Sequence, residues 1–307
     1  MTRVSSFGHN QIMLSQLLEN QGRLFETQSQ INSGKKANEY SGLNGEAQTL
    51  LGAKSVLTRT EGYLNTLSSV KGKLDTNNLY LESVYSAGAD MKQVMLEALA
   101  QDQTLAFGES LEQAVTMVLS ALNTEVGGSY IFAGHRTDTQ PVAANNVADV
   151  LAAPTAASLF QNDNNHLTSK VNDSVNIRHG ILASEAGQDL LTSLKAIVDF
   201  NAGPSGPIDG PLTAAQRSFL EAEMANVGSA LETVQSHISQ NGLRQQRVDT
   251  IEKELEANTD FLKVFISDIE DVDIAEAITR LNNDQTALEA SYRVVSQLSR
   301  LSLVDFI

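Results

Sequence analysis

Every proline in this 307-residue chain falls between positions 141 and 211: Pro141, Pro154, Pro204, Pro207 and Pro211. Inside a helix proline removes one backbone donor and clashes with the preceding turn, at a cost of about 3 kcal/mol. Two long proline-free arms, 1–140 and 212–307, therefore flank a middle built to different rules.

The arms carry helical periodicity. Near the start, Leu14, Leu17, Gln21, Leu24, Gln28 and Ile31 step by alternating threes and fours. Near the end, Ile274, Ile278, Leu281, Gln285, Leu288, Tyr292 and Val295 do the same. This is the seam of a coiled coil. A third run passes through Leu57, Leu64, Leu67, Leu74, Leu81 and Met95. A fourth passes through Phe219, Val227, Leu231, Val234, Ile238, Val248, Ile251 and Leu255. A helix of about 50 residues is roughly 75 Å long, so the pattern predicts a rod. Polar residues at Gln21, Gln28, Lys71, Asn78 and Gln285 fall on these seams. They read either as breaks in an imperfect amphipathic helix or as buried amides that fix register and strand number while weakening the seam.

Punctuation divides the arms. INSGKKANEYSGLNG, 31–45, carries three glycines among turn-forming residues and reads as a connection. Asp273 followed by Glu276 resembles a capping box opening a last helix. Two short helices, 5–33 and 273–303, are thus expected to hinge on longer inner ones. In the middle, YIFAGHRTDTQPV (130–142) has the β-formers of a hairpin, and VNDSVNIRHG (171–180) alternates like a strand. NAGPSGPIDGPL (201–212) is a Gly/Pro-rich loop. The expected class is mainly α: a long antiparallel helical bundle or coiled-coil rod formed by the two arms, with a small β-containing insert. The expected divisions are 1–45 with 266–307 as terminal helices, 46–137 with 183–265 as the helical rod, and 138–182 as the insert.

Charge narrows the partners. The formal net charge is −16, which opposes binding to nucleic acid or anionic membrane. Its distribution is uneven: residues 1–45 hold four basic and three acidic groups, a net of +1, while 212–307 hold eight and sixteen, a net of −8. A nearly neutral first segment suits a place inside an assembly. So does the apolar run Leu301, Leu303, Val304, Phe306 and Ile307. Its residues need cover. Cysteine is absent, which excludes disulfides and thiolate chemistry. No apolar run approaches the ~18 residues of a membrane span. The first residues lack the layout of a cleavable signal peptide.

Chemical motifs are missing too. His9, His135, His166, His179 and His237 are scattered without metal-ligand spacing. SDIEDVDIAE, 267–276, is acidic, but an EF-hand counted from Asp268 would need Gly and Glu where Asp273 and Thr279 stand. Its acids suit a helix N-terminus. GGSYIFAG, 127–134, fits neither GxGxxG nor the P-loop. No GxSxG occurs. No cofactor, metal site or enzymatic activity is expected.

Two stretches resemble a known family. QSQINSGKKANEYSGL, 28–43, resembles the N-terminal motif of bacterial flagellins and their relatives. Residues 265–307 resemble their C-terminal motif, with an acidic D-x-D-x-A-E start, then L-x-x-x-Q-x-x-L-x-A-S and a closing S-L. SYIFAGHRTDTQPV, 129–142, resembles a Y-x-F-x-G-x-x-T-D-T-x-P-F segment of the hook-associated branch, which joins flagellar hook to filament; the closing LSLVDFI points the same way. The resemblance implies a structural, extracellular protein at the hook–filament junction. It implies partners among neighbouring copies, other hook-associated proteins and flagellin. It also implies export unfolded through the flagellar type III apparatus, with a chaperone on the C-terminal region and no cleavable signal. Filament flagellin is the alternative; a secreted interaction rod follows behind it.

The assembly interface expected on this reading comprises Leu14, Leu17, Leu24, Ile31, Ile278, Leu281, Leu288, Val295, Leu298, Leu303, Phe306 and Ile307. Ordering one residue costs on the order of 1–2 kcal/mol in backbone entropy. Burying one large aliphatic side chain returns roughly 1.5–3 kcal/mol. A seam with one such residue every three or four positions needs more area than two helices provide, so neighbouring copies are expected to complete it.

Overall fold

A computed structural model describes the backbone of residues 2–43 and 45–304, and the side chains of 8, 11–43 and 45–297. In chain order the elements are α1 (Thr2–Ser33), α2 (Ala47–Gln101), β1 (Gln103–Thr104), α3 (Phe107–Leu122), β2 (Glu125–Val126), β3 (Ser129–Tyr130) and α4 (Val147–Ala152). There follow β4 (Thr168–Lys170), β5 (Asn176–Arg178), α5 (Ala183–Ala202), β6 (Gly210–Pro211), α6 (Ala214–Glu270) and α7 (Ile274–Val304). The five prolines all stand outside the α-helices, as their helix-breaking chemistry requires. Among the described residues no helix is long and apolar enough to cross a membrane.

The chain divides into two compact units, residues 1–60 with 257–307 and residues 61–256. In the second unit α2 and α6 run antiparallel. Lys71 meets Asp249 and Glu252 at 2.7 and 3.2 Å, the Gln245 amide donates to Asp75 at 2.8 Å, and Arg217 donates to the Leu99 carbonyl at 3.4 Å. The burial pattern explains the pairing. On α2 in this unit Leu67, Val70, Leu74, Asn77, Leu81, Val84, Gly88, Met91, Met95 and Ala98 are buried, alternating threes and fours, with Ala87 buried beside Gly88. On α6 in this unit, Leu220, Val227, Val234, Asn241, Val248 and Leu255 recur every seventh residue, all buried except the half-buried Leu255. This is the expected heptad seam, and the mainly α, antiparallel class stands.

The amides that seam buries differ from those expected. Lys71 is half-buried and ion-paired, and Asn78 bonds to Glu82 on its own helix. Asn77, which donates to the His179 carbonyl at 2.7 Å, and Asn241, which donates to the Leu74 carbonyl at 2.7 Å, are buried instead. Two adjacent amides, Asn77 and Asn78, made the register ambiguous by one residue.

The rest of this unit packs on the helices. Phe107, Val115, Leu119 and Leu122 of α3 join Leu190, Leu191 and Leu194 of α5, together with Phe132, Val142, Val150 and Leu159, in one apolar core. Among the described residues the β content is three two-stranded antiparallel ladders, β1–β6, β2–β3 and β4–β5. The hairpin expected at 130–142 lies earlier, at 125–130. Gly127 and Gly128 adopt φ of 61° and 81°, the double left-handed geometry of a two-residue hairpin turn. Phe132 and Ala133 are instead buried in the turns that follow. The second expected strand narrows to Asn176–Arg178, opposite Thr168–Lys170. Asn172 makes the turn between them, accepting from the Ser174 and Val175 amides at 2.9 and 2.7 Å.

Candidate assembly interface

In the first unit α1 and α7 lie antiparallel. Asn20 donates to Ser291 at 2.9 Å, Gln21 to the Tyr292 hydroxyl at 2.6 Å, and Thr27 to Asp284 at 3.1 Å. Asp273 caps α7, accepting from the Ala275 and Glu276 amides at 2.9 and 3.2 Å, as its place in the sequence predicts.

The predicted interface residues separate into groups. Leu17 is buried, and Leu24, Ile31, Leu281, Leu288 and Val295 are half-buried. Leu14 and Ile278 are exposed, at 54% and 46%. The side chains of Leu298 and Leu303 lie outside the described residues, as do Phe306 and Ile307 altogether. On α7 the inward positions are Ala277, Leu281, Asp284, Leu288, Ser291 and Val295, again alternating fours and threes. Gln28 and Gln285, expected on the seam, are exposed, and Thr27 and Asp284 occupy it. Reading by bulk favours Ile274, Ile278 and Tyr292, but those sit on the flank of the helix. On the inward line small and polar residues, Ala277, Asp284 and Ser291, alternate with Leu281, Leu288 and Val295.

A second apolar surface faces outward. Leu14, Leu18 and Phe25 step by four and seven, so they share one stripe of α1, roughly a third of a turn from the Leu17–Leu24–Ile31 line. Leu18 and Phe25 are exposed at 58% and 74%. On α7, Ile274, Ile278, Tyr292 and Val294 are exposed. Exposed apolar stripes are a common feature of interaction surfaces. Leu18 and Phe25 were legible as a stripe but fell outside the heptad line.

The base of the pair is a charged joint. The Lys36 amide donates to the Glu270 carbonyl at 2.7 Å, and the Val272 amide donates to the Gly34 carbonyl at 3.0 Å. Gly34 has φ 70°, a left-handed conformation that suits a helix end. The buried Glu270 carboxylate accepts from Lys35 and meets the Lys54 ammonium at 2.5 Å. The Lys36 ammonium donates to the Asp268 carbonyl. Hydrogen bonds from Lys35 and then Lys54 hold the Glu270 carboxyl below its ordinary range, and Glu270 raises Lys35 in return.

Elsewhere the second unit has a cavity of about 470 Å³ lined by Lys73, Thr76, Tyr130, Leu167 and His179 among others. His179 is buried, bonded to the Ser169 hydroxyl at 3.1 Å, and burial lowers its pKa to about 4. Among the described residues, no group of three or more His, Asp or Glu side chains is placed to hold a metal ion.

Comparison with known proteins bears on the same segments. Residues 224–307, most of α6 and all of α7, match the family model for the bacterial flagellin C-terminal helical region. No curated protein sequence matches the chain. The fold is flagellin-like at this end. More particularly, it is shared with flagellar hook-associated proteins of known structure. One, from Vibrio parahaemolyticus, has 16% identity and a TM-score of 0.58 over 72% of this chain and 96% of its own. Bacillus cereus FlgL has 18% identity and a TM-score of 0.56, over 70% and 99%. Flagellar hook-associated protein 3 from Legionella pneumophila has 12% identity and a TM-score of 0.52, over 75% and 98%.

Proposed function

We propose that this protein is a structural component of the bacterial flagellum that assembles at the hook–filament junction as an adaptor between hook and filament. The observation that carries the reading is a coincidence of location. The segment that matches flagellin's C-terminal helical region contains α7, and α7 pairs with α1 to present outward apolar residues. Neighbouring copies supply the cover. Each exposed large apolar side chain they bury contributes roughly 1.5–3 kcal/mol, which adds to a seam that mixes Leu, Ile and Val with Asn, Thr, Ser and Asp.

The role is architectural and not catalytic. The partners are sister copies on one side and other hook-associated proteins and flagellin on the other. The protein is exported through the flagellar type III apparatus, with a chaperone on the C-terminal region, and works outside the cell. Immunogold labelling of intact flagella tests the reading. A band at the distal end of the hook is expected. Label along the whole filament would assign the chain to filament flagellin, and flagella without label would overturn the proposal.

A further inference from the structure

Glu270 breaks a local rule. It is the last residue of α6, where the helix dipole disfavours negative charge, and it is buried. A carboxylate in such a place persists only with close cationic partners. It has two, from different segments: Lys35 from the passage between α1 and α2, and Lys54 from α2. Around them stand Lys36, whose ammonium caps the Asp268 carbonyl in the last turn of α6, and the charge of Asp271 and the phenol of Tyr40 near Lys35.

We propose that this joint is an ionic latch: the Glu270 carboxylate, shared by Lys35 and Lys54, pins the passage from α1 to α2 against the passage from α6 to α7, so that the two open and close as one. The backbone ladder between the passages is a single bridge, Lys35 opposite Asp271, with one hydrogen bond on either side of it. So short a ladder does not hold by itself. The charge-assisted bonds to Glu270 are the stronger contacts, and they fix Lys35, which is part of the bridge. The GKK stretch and the acidic stretch at 268–273, both conspicuous in the sequence, thereby acquire a common purpose. They meet at one point and set the base from which α1 and α7 leave side by side.

The latch depends on pH with a definite sign. The folded carboxyl of Glu270 sits below its unfolded value, so the latch is whole above the ordinary glutamate range. It is lost as pH falls through the folded value. The latch is a property of the single chain, so its test requires no flagellum and stands apart from the assembly reading.

Amide hydrogen exchange by NMR on the full chain near neutral pH gives the test. The Lys36 and Val272 amides are the two cross-joint donors, and both are expected to be protected. In Glu270→Gln, which keeps shape and removes charge, both should lose protection together by roughly tenfold or more. Amides at Val234 and Val248 of α6 should keep theirs. Lys54→Met should loosen the same two amides, and adding it to Glu270→Gln should change little further, because the pair acts as a unit. Protection retained at both amides in Glu270→Gln, loss at only one, additive effects of the two substitutions, or equal loss at Val234 and Val248 would each overturn the latch.

Discussion

Thr27 and Asp284 face one another across α1 and α7, the hydroxyl donating to the carboxylate at 3.1 Å where a coiled coil would place a large aliphatic side chain. The seam around them alternates such polar contacts with the aliphatic Leu17, Leu24, Leu281 and Leu288.

Replacing both polar partners with aliphatics should therefore strengthen the pair. Thr27→Val with Asp284→Leu removes the hydrogen bond, and with it the 3.9 Å pairing of Asp284 with the exposed Arg23, and adds apolar area, worth roughly 1–3 kcal/mol. Limited proteolysis of the monomer should cut more slowly within 11–33 and 274–297. Unchanged cleavage would mean that the seam is not limited by its polar residues.

The α2–α6 seam offers a parallel case. Asn241 is fully buried, its amide nitrogen donates to the Leu74 carbonyl, and its Oδ1 has no partner among the described residues. Asn241→Leu should raise stability by about 1–2 kcal/mol in urea denaturation, because an unsatisfied buried acceptor costs about 1–3 kcal/mol. A loss of stability would show that the amide contributes more than register.

Gly88 sits mid-helix on the α2 seam, where a Cβ would lie 2.9 Å from Leu231 Cδ2 and 3.0 Å from both Leu190 Cδ atoms. Helix propensity alone favours alanine there by about 1 kcal/mol. Overpacking costs about 1–3 kcal/mol and should win. Gly88→Ala is expected to lower Tm modestly, and a higher Tm would mean that the leucines yield freely.

His179 gives a pH dependence of known sign. Burial, with Lys73 nearby, places its folded pKa at about 4, below the unfolded value of 6.5. The unfolded chain binds the proton more readily in that interval. Its contribution to stability is thus whole above about 6.5 and is lost as pH falls toward 4. His179→Gln should flatten the Tm profile between those values, and an equally steep profile would place the titration elsewhere.

Much of the architecture was legible because it rests on backbone chemistry. The prolines marked the non-helical middle, and Leu67, Leu74, Leu81 and Met95 with Val227, Val234 and Val248 traced the long seam. The site was less legible, because Thr27, Asp284, Ala277 and Ser291 occupy inward positions that a search for bulk passes over. Leu14 and Ile278, which do have bulk, turn outward. The straight helix drifts against a strict 3.5-residue repeat, so end positions rotate off the line. The hairpin moved because Gly127–Gly128 supplies the turn geometry that YIFAGHR lacks. The joint at Glu270 was invisible from either stretch alone, since its two lysines come from positions more than 200 residues away in sequence.

The outward stripe of α1 is the central claim, and Phe25, three-quarters exposed on one chain, is its most direct test. A strain carrying Phe25→Asp should still export the protein, detectable in the culture medium. Its monomer should keep wild-type helicity by circular dichroism, and immunogold should find the hook ends bare. A normal band of label at the hook ends of that strain would contradict the account.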